Sequence, residues 1–437
     1  MKIILVMFFA LLLACGTVTQ QQEFITVNGT QFIKEGKPYY FLGTNVWYGA
    51  NLAMEGESGD RERLIKELDL LHSLGVTNLR ILGASEQTQY FNTVKPAMQT
   101  ALGEYDENVL GGLDFLLAEM GKRDMTAVVY LNNYWVWSGG MAQYVAWCEN
   151  ETMPNPFLDE YDWHTFMLYS GRFYTHEQAN QAYRDYIEML INRKNTVNGK
   201  LYKDDPVIMA WQLSNEPRPN PGEERDQHIN RFIEWVDETA GYIKSLDPNH
   251  LVSTGNEGLK GSLESEPCYL DAHRSEHIDY LTFHLWILNW SWYDPQRPGE
   301  TYPDAQKKAL DYIDQHIKYA ETMGKPVTFE EFGIPRDQHS YSPEASTIWR
   351  DRYLKTVFDK IYAGIDSGSP LAGSNFWAWG GYGKARDPEN DPYWQEGDDF
   401  TGDPPQEPQG RNSVFAGDST TLQILKSHSQ KLESILR

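Results

Sequence analysis

The sequence predicts an α/β fold built as a single (β/α)8 barrel of the TIM type, with long loops after the strands forming a substrate cleft. Short apolar runs rich in β-branched residues alternate with longer amphipathic segments about eight times along the chain. Three of the apolar runs end in polar residues, as expected where barrel strands deliver side chains to a site at their carboxyl ends. The length of 437 residues suits one barrel with long loops.

The first half of the chain predicts four strands and the helices that follow them. The first strand covers 40–47. An amphipathic helix follows over 61–74, because Leu64, Leu68 and Leu71 share one face and Gly75 is a stop signal. The same reasoning gives the remaining elements of this half: strands over 78–82, 127–131 and 207–213, and helices over 109–122 and 177–193.

The second half of the chain continues the alternation and closes the ring. Its predicted elements are strands over 251–254, 280–286, 326–331 and 373–379, and helices over 227–245, 302–322, 348–365 and 420–436. Residues 384–411 interrupt the pattern with Asp, Glu, Pro and Gly and show no helical period. This composition predicts a long, solvated acidic loop after the eighth strand.

The first residues predict export. Residues 1–14 begin with Met-Lys, continue as an apolar run and read as a signal peptide. The ending Leu12-Leu13-Ala14-Cys15 resembles the cleavage motif of lipoproteins, in which Cys15 becomes the lipid-carrying first residue. We therefore expect a flexible tether over 15–22, a barrel domain over 23–437 and an outer-membrane or cell-surface lipoprotein. The alternative is a secreted, extracellular protein with an ordinary signal peptide.

Composition narrows the partners. The formal net charge of -24 would repel nucleic acids and anionic lipid surfaces, so we expect contact with a membrane only through the lipid anchor. A neutral polymer meets no such repulsion. The chain carries 14 Trp, 26 Tyr and 18 Phe, more rings than a core requires, and aromatic faces suit stacking on sugar rings. These features predict binding of a neutral polysaccharide, and we expect the protein to be a monomer.

The sequence contains no motif for a metal or nucleotide cofactor. It lacks a His-Glu-x-x-His pair, a Gly-rich phosphate loop and a Gly-x-Ser-x-Gly elbow, so we expect neither a cofactor nor a metal. Apart from Cys15, the chain has two cysteines, Cys148 and Cys268, and both lie in predicted loops. An exported protein can pair such residues, and the sequence leaves open whether these two are bonded.

Two glutamates at strand ends predict glycoside hydrolysis. The fourth strand leads into Asn215-Glu216-Pro217-Arg218, and the seventh leads into Glu330-Glu331-Phe332-Gly333. Cleaving a glycosidic bond requires a proton donor for the leaving oxygen and a carboxylate facing the anomeric carbon. We predict Glu216 as general acid/base and Glu331 as nucleophile, at the ~5 to 5.5 Å separation of a retaining mechanism.

Neighbouring residues supply reasons for these assignments. Successive side chains of a strand point to opposite faces, so we expect only one of Glu330 and Glu331 to enter the barrel mouth. We select Glu331 because it directly precedes the Phe-Gly pair. Arg80 and His284, at the ends of the second and sixth strands, are expected to orient Glu331 and keep it ionised. Asn215 is placed to hydrogen-bond the sugar 2-hydroxyl.

Three stretches resemble glycoside hydrolase family 5, and most of all its endo-β-1,4-mannanases. They are Trp211-Gln-Leu-Ser-Asn-Glu-Pro-Arg218, Lys325-Pro-Val-Thr-Phe-Glu-Glu-Phe-Gly333 and Asn375-Phe-Trp-Ala-Trp-Gly-Gly381. The resemblance covers nearly the whole chain after the signal peptide. It implies the same roles for Glu216 and Glu331, and it implies a shell around the cleaved linkage formed by Arg80, Asn215, His284 and Trp377. Arg218 is similar to the mannanase branch, where an Arg at this place faces the leaving-group side of the cleft.

The chain departs from the family pattern after the sixth strand, where Trp286 replaces a common Tyr and offers an indole N–H instead of a hydroxyl. Loop aromatics with amide neighbours suit a polysaccharide cleft. The further predicted substrate contacts are Trp47, Asn132, Trp135, Trp137, Glu257 and Trp290.

The resemblance implies endo-hydrolysis of β-1,4-mannosidic linkages in mannan, glucomannan or galactomannan through a covalent glycosyl-enzyme. One alternative is a β-1,4-glucanase, whose substrate differs only at the C2 hydroxyl. Another is a catalytically inactive, lipid-anchored glycan-binding protein. The two strand-end glutamates disfavour the binding protein, because binding alone requires neither of them.

Overall fold

Eight parallel strands, here β1 to β8, form the centre of the computed structural model, which describes residues 23–158 and 160–436. The predicted signal peptide, Cys15 and the tether lie outside these residues. The strands are Phe41–Asn45, Val76–Leu82, Thr126–Tyr130, Ile208–Gln212, Leu251–Ser253, Leu281–Leu285, Val327–Phe332 and Leu371–Phe376. They pair in chain order, β1 also pairs with β8, and a bridge between Ser253 and Tyr280 joins β5 to β6. The predicted (β/α)8 barrel is therefore confirmed.

Eight helices, α1 to α8, follow the eight strands. They are Arg61–Ser73, Glu107–Gly121, Glu177–Ile191, Arg225–Leu246, Glu266–Arg274, Pro298–Met323, Ile348–Asp366 and Ser419–Ile435. The start of α1 shows why they form where they do. The Asp60 carboxylate accepts a hydrogen bond from the Arg63 amide at 2.8 Å, and Leu64 and Leu68 then bury the face that packs on the barrel.

Further short helices and strands lie outside the eight strands and eight helices of the barrel. The other helices are Gly49–Leu52, Val136–Ser138, Gly140–Glu149, Trp163–Ser170, Gly171–Thr175, Tyr202–Asp204, Lys260–Ser262 and Asp337–His339. The other strands are Thr26–Asn28, Gln31–Lys34, Lys37–Tyr39, Gln99–Ala101, Glu104–Tyr105, Trp379–Gly381 and Val414–Phe415. In the described part of the chain, no helix is both long and apolar enough to cross a membrane.

The first three of these strands close the amino-terminal end of the barrel. They form an antiparallel sheet, and its Phe32 packs on Phe41 at the start of β1 and on Tyr280 just before β6. Both cluster with Leu251 at the start of β5, so this end of the barrel is filled by apolar side chains. Chemistry is therefore confined to the opposite, carboxyl-terminal end.

Both cysteines lie in helices, which corrects the prediction of loops. Cys148 belongs to the helix Gly140–Glu149 and Cys268 to α5, and both are free thiols. Helix α5 was missed because it has only nine residues and carries Pro267. Proline is tolerated in the first turn, where its missing N–H has no intrahelical partner, and Ser265 caps that turn through the Cys268 amide.

The predicted solvated loop after β8 is also corrected, because much of it is buried. Trp394 stacks on Phe400, and Phe400 in turn stacks on Tyr48 beside the barrel. Asp403 is fully buried and accepts hydrogen bonds from the amides of Gly410 and Asn412 at 3.0 and 2.8 Å. Aromatic packing and one buried carboxylate thus fold an acidic segment over the barrel mouth.

Candidate active site

A pocket of about 730 Å³ opens at the carboxyl-terminal end of the barrel. The loops that follow β3 to β8 all contribute to its wall. Among the predicted site residues, the wall contains Trp135, Trp137, Asn215, Glu216, Arg218, Glu257, Trp286, Trp290, Glu331 and Trp377. Pockets of this size, lined by aromatic rings with a few convergent polar groups, are typical of small-molecule sites.

Glu216 lies just beyond β4 in an unusual backbone conformation. Its φ is +49°, in the left-handed region that non-glycine residues seldom adopt. The conformation is held because the Glu216 amide donates to the Gly255 carbonyl at 2.9 Å. A side chain at Gly255 would meet the Ser214 carbonyl at 2.0 Å, so glycine permits the ends of β4 and β5 to approach this closely.

Both carboxylate oxygens of Glu216 have a defined partner. Oε1 lies 2.6 Å from Nδ1 of His284, and Oε2 accepts a hydrogen bond from Nε1 of Trp135 at 2.5 Å. The Arg218 guanidinium lies 3.7 Å from Oε2. Because the three partners come from the loops or strands of β3, β4 and β6, the barrel itself fixes the direction of this carboxyl group.

Glu331 in β7 faces Glu216 across the barrel mouth. Its Oε1 lies 2.5 Å from Nη1 of Arg80, and its Oε2 lies 3.4 Å from Nδ1 of His284. One carboxylate oxygen of Glu216, one of Glu331 and one ring nitrogen of His284 lie within 4.8 Å of one another. The two carboxyl groups are thus close enough to act on the same bond, and the same three donors are spaced so that they could hold a metal ion.

A bulge in β7 explains why Glu330 and Glu331 both turn inward. Phe283 pairs with Phe329, but the next residue, His284, pairs with Glu331, so Glu330 is an extra residue in the ladder. The Glu330 carboxylate accepts hydrogen bonds from Gln212 Nε2 at 2.6 and 2.7 Å, below the pocket. Simple alternation is therefore wrong at this point, although Glu331 is the one that reaches the pocket wall.

Burial controls protonation at the site. Burial, with the nearby charge of Glu216, raises the pKa of Glu331, and the Arg80 cation opposes this rise. Burial also lowers the pKa of His284, as do the cations Arg80 and Arg218, so the imidazole is neutral at neutral pH. The neutral ring lies near both carboxyl groups, and its Nδ1 can donate a hydrogen bond to either of them without adding a positive charge.

Arg218 and Glu257 form an ion pair beside the acid/base candidate. The Arg218 guanidinium also lies 4.5 Å from the ring centre of Trp135, so it is held from two sides. Burial and the neighbouring Glu216 raise the pKa of Glu257 to about 7. A carboxyl group that titrates near neutrality therefore lies within the electrostatic reach of Glu216.

The remaining predicted wall residues take up distinct positions. Asn215 accepts from Nη2 of Arg80 at 2.8 Å and donates to Asn133 at 3.1 Å, which fixes its amide. The rings of Trp286 and Trp377 meet edge to face at 5.9 Å between centroids. Arg80 and His284 are fully buried and lie behind the two carboxyl groups without forming part of the pocket wall.

Two predicted substrate contacts lie outside the pocket wall. Trp47 is buried, donates from Nε1 to the Gly402 carbonyl at 3.0 Å and packs edge to face on Trp137. Asn132 is also buried, and its side-chain oxygen accepts from the Asn133 amide at 2.8 Å. Both predictions are corrected, because the loop after β8 covers Trp47 and the turn after β3 folds the Asn132 side chain back on its own backbone.

Several wall residues were not predicted from the sequence. The unpredicted members include Phe157, Trp163, Lys260, Asn289, His339, Tyr341, Tyr393, Gln406, Glu407 and Arg411. Most belong to long connections whose path depends on tertiary packing. The presence of Trp394 and Phe400 within an otherwise acidic segment was the one available signal, since aromatic residues in a loop indicate that it packs.

Comparison with known proteins agrees with this geometry. A family model described as glycoside hydrolase family 5, beta-mannosidase-like, matches residues 22–437. Mannan endo-1,4-beta-mannosidase 1 of Arabidopsis thaliana is 30% identical over 82% of this chain and 82% of that protein. A family 5 mannosidase structure from Rhizomucor miehei, also solved as a mutant with mannosyl-fructose, is 37% identical, with a TM-score of 0.86.

The match to the Rhizomucor miehei mannosidase covers 94% of this chain and 98% of that one. An endo-beta-1,4-mannanase structure from Thermotoga petrophila is 27% identical, with a TM-score of 0.65, and covers 90% of this chain and 77% of its own. The match spans the whole described barrel, including the strands that carry Glu216 and Glu331. The chain therefore belongs to glycoside hydrolase family 5, as its three strand-end motifs predicted, and it is a glycoside hydrolase of the mannosidase-like branch.

Proposed function

We propose that this enzyme hydrolyses β-1,4-mannosidic linkages with net retention, with Glu216 as general acid/base and Glu331 as nucleophile. The observation that carries the proposal is the approach of the two carboxyl groups, because one oxygen of each lies within 4.8 Å of the other and of a ring nitrogen of His284. Retaining glycosidases hold their carboxyl groups about 5 to 5.5 Å apart, whereas inverting enzymes leave roughly 6.5 to 9.5 Å for a water molecule.

The two steps follow from this arrangement. A Glu331 oxygen bonds to the anomeric carbon while the bond from that carbon to the leaving oxygen breaks, and Glu216 gives its proton to that oxygen. Glu216 then removes a proton from water, and the water oxygen displaces Glu331 from the anomeric carbon. Arg80, 2.5 Å from Glu331, balances the carboxylate charge before the first step and after the second.

Charge balance explains how a proton is kept for the first step. Four buried carboxyl groups, those of Glu216, Glu257, Glu330 and Glu331, lie near two guanidinium groups, those of Arg80 and Arg218. A third negative charge would be uncompensated in a buried site, which is costly. Protons are therefore retained among these carboxyl groups near neutral pH, where burial and Glu216 raise the pKa of Glu257 to about 7.

The substrate class comes from the relatives. Proteins named mannan endo-1,4-beta-mannosidase and family 5 mannosidase share the fold and the site strands, so mannan, glucomannan and galactomannan are the proposed polymers. Internal cleavage is the form that the names of the plant relatives support. A β-1,4-glucanase remains the alternative to exclude by experiment, because its substrate differs only in the configuration at C2.

Cleavage from a chain end is a second candidate, favoured by one contact. Nη2 of Arg411 lies 3.3 Å from Oδ1 of Asn289, which joins the loop after β8 to the loop after β6. These loops flank β7, so together they form a wall on the side of Glu331. A wall there favours a substrate that ends at the bound sugar, and the greater similarity to the Rhizomucor miehei mannosidase agrees with it.

The test is a product profile on linear mannan, with carboxymethylcellulose as the control polymer. We expect reducing sugar from mannan only, an initial product of retained configuration by NMR, and at least a ~10³-fold loss in Glu331→Ala. A ladder of oligosaccharides indicates internal cleavage, and mannose alone indicates chain-end cleavage. An inverted product, or release from cellulose alone, contradicts the proposal. Binding without release favours the glycan-binding alternative.

We also propose export as a monomeric lipoprotein anchored through Cys15, on the basis of the amino-terminal sequence. The full chain expressed with radiolabelled palmitate should incorporate label and separate with membranes. Cys15→Ser should lose both properties and keep mannan hydrolysis, because Cys15 precedes the barrel. Label-free wild type found in the medium instead supports the secreted alternative.

A further inference from the structure

A row of aromatic rings leads from Glu216 to the protein surface. Nε1 of Trp135 donates to Glu216, the Trp135 ring meets Trp163 edge to face at 5.4 Å, and Trp163 meets Phe157 edge to face at 5.4 Å. All three aromatic side chains line the pocket. The row therefore extends the pocket outward from Glu216, the proposed general acid.

The first ring of the row is not free to stack on a sugar. Arg218 lies 4.5 Å from the centre of the Trp135 ring, and Phe166 packs against the same ring in a nearly parallel orientation at 6.3 Å. Its N–H is taken up by Glu216. The rings that still offer area to a ligand are the next two, Trp163 and Phe157, with relative exposures of 42% and 41%.

Trp163 is held in position by its helix, although its ring is exposed. Trp163 opens the helix Trp163–Ser170, whose first turn is capped by the Asp162 carboxylate accepting from the Thr165 amide at 2.7 Å. The other end of that helix is tied to the turn after β3, because Ser170 donates to the Tyr134 carbonyl at 2.9 Å. Large exposed apolar rings held in place beside a pocket mark a binding surface.

The direction of the row identifies what would bind there. The general acid of a retaining glycosidase protonates the leaving oxygen, so it lies on the side of the leaving group. On the side of the nucleophile, the Arg411 to Asn289 contact described above joins the loops after β6 and β8. A leaving group of several sugars would extend from Glu216 past Trp135, and its second sugar would meet Trp163 and Phe157.

We propose that Trp163 and Phe157 form a subsite for the second sugar of the leaving group, and that they make the enzyme select β-mannosides with two or more leaving-group sugars. The proposal rests on the proposed function and extends it to substrate length. The apolar face of a pyranose is the ligand, and aromatic stacking supplies affinity without contacting the reacting atoms. Neither ring touches the carboxyl groups, so the effect belongs to binding and not to chemistry.

The experiment compares wild type, Trp163→Ala and Phe91→Ala on β-1,4-mannobiose and β-1,4-mannotriose. Phe91 is the matched control, because it is 65% exposed and lies outside the pocket wall. We expect Trp163→Ala to lower kcat/KM about tenfold on mannotriose through KM, as for the loss of one stacked ring, and less than twofold on mannobiose. Trp163→Tyr should restore most of the mannotriose activity, and Phe91→Ala should match wild type.

The outcomes separate this inference from the proposed function. A wild type that cleaves no β-mannoside overturns the function itself. A wild type that cleaves both sugars, with Trp163→Ala equally impaired on both or on neither, overturns only the subsite. Melting temperatures of the variants identify a folding defect, and Trp163→Tyr, which keeps a ring at this position, then decides the question by the same ratio of the two substrates.

Discussion

Nη1 of Arg80 lies 2.5 Å from Oε1 of Glu331, and both side chains are buried. The same guanidinium donates from Nε to Gln212 at 2.8 Å and from Nη2 to Asn215 at 2.8 Å, so its orientation is fixed by the barrel interior. Arg80 is thus the cation that opposes the rise in the pKa of Glu331 caused by burial. Its removal should be visible in the pH dependence of catalysis as well as in the rate.

Arg80→Met should move the acidic limb of the kcat/KM profile to higher pH. The Arg80 cation lowers the pKa of Glu331 against burial, so its loss raises that pKa further. Because Glu331 must be ionised to attack, activity then disappears at a higher pH as the pH falls. Loss of the fixed cation should also reduce kcat by about 10²-fold. The measurement is a kcat/KM profile on a soluble mannooligosaccharide.

Arg80→Lys is the matched control for this prediction. A lysine keeps the charge but not the forked contacts to Gln212 and Asn215, so the limb should stay near its wild-type position while kcat falls. A Met variant whose acidic limb does not move would show that Arg80 only positions the nucleophile and does not set its charge.

The barrel and the two glutamates were predictable because each depends on local sequence. The spacing of apolar residues predicts the strands and the amphipathic helices, and Glu216 and Glu331 lie at the carboxyl ends of apolar runs. The role of Glu330 was not predictable, since a one-residue bulge turns it inward against simple alternation. Trp47 and the pocket wall after β8 depend on packing between residues far apart in the chain, which no local pattern records.

Glu257→Gln should move the alkaline limb of kcat/KM to lower pH. Glu257, with a pKa raised to about 7 by burial and by Glu216, places a titrating negative charge beside the acid/base. Glu257→Gln removes one of the carboxylates that balance the charge of Arg218, whose guanidinium lies 3.7 Å from Oε2 of Glu216. A nearby unbalanced cation favours loss of the acid proton, so activity falls at a lower pH as the pH rises.

The control for Glu257→Gln is Glu264→Gln. Glu264 is exposed, follows β5 as Glu257 does, and forms an ion pair with Lys260. Its pH profile should superimpose on that of wild type. An alkaline limb that stays in place or moves upward in Glu257→Gln would contradict the assigned role of the Arg218 and Glu257 pair.

Asp403→Ala should loosen the pocket wall after β8 and raise KM more than it lowers kcat. The buried Asp403 carboxylate accepts from the amides of Gly410, Asn412 and Ser413 and from the Ser413 hydroxyl at 2.5 Å. Removing it leaves several buried donors without an acceptor, at roughly 1 to 3 kcal/mol for each unsatisfied group. The wall residues Glu407 and Arg411 lie within the same turn, so substrate contacts are lost while Glu216 and Glu331 stay in place.

Limited proteolysis and steady-state kinetics check this prediction together. Asp403→Ala should be cut within 401–413 faster than wild type, and its KM should rise about tenfold or more. Glu389→Ala, at an exposed position early in the same loop, should behave as wild type. An unchanged KM with an altered cleavage pattern would separate the loop from substrate binding.

Glu86→Gln should make the protein more stable at alkaline pH. Glu86 is buried, and burial raises its pKa to about 8, while its Oε2 accepts from the Gly140 amide at 2.7 Å. A carboxyl group whose pKa is higher in the folded state than in the unfolded chain binds more protons when folded. Folding stability is therefore lost as pH rises from the unfolded pKa through about 8, at about 1.4 kcal/mol for each unit of pKa difference. Gln keeps an acceptor for Gly140 and cannot ionise, so the melting temperature of Glu86→Gln should change less between pH 5 and pH 9 than that of wild type.

Glu57→Gln, an exposed control, should follow the wild-type curve. Parallel curves for Glu86→Gln and wild type would mean that Glu86 is ionised without cost in the fold, which its buried position argues against.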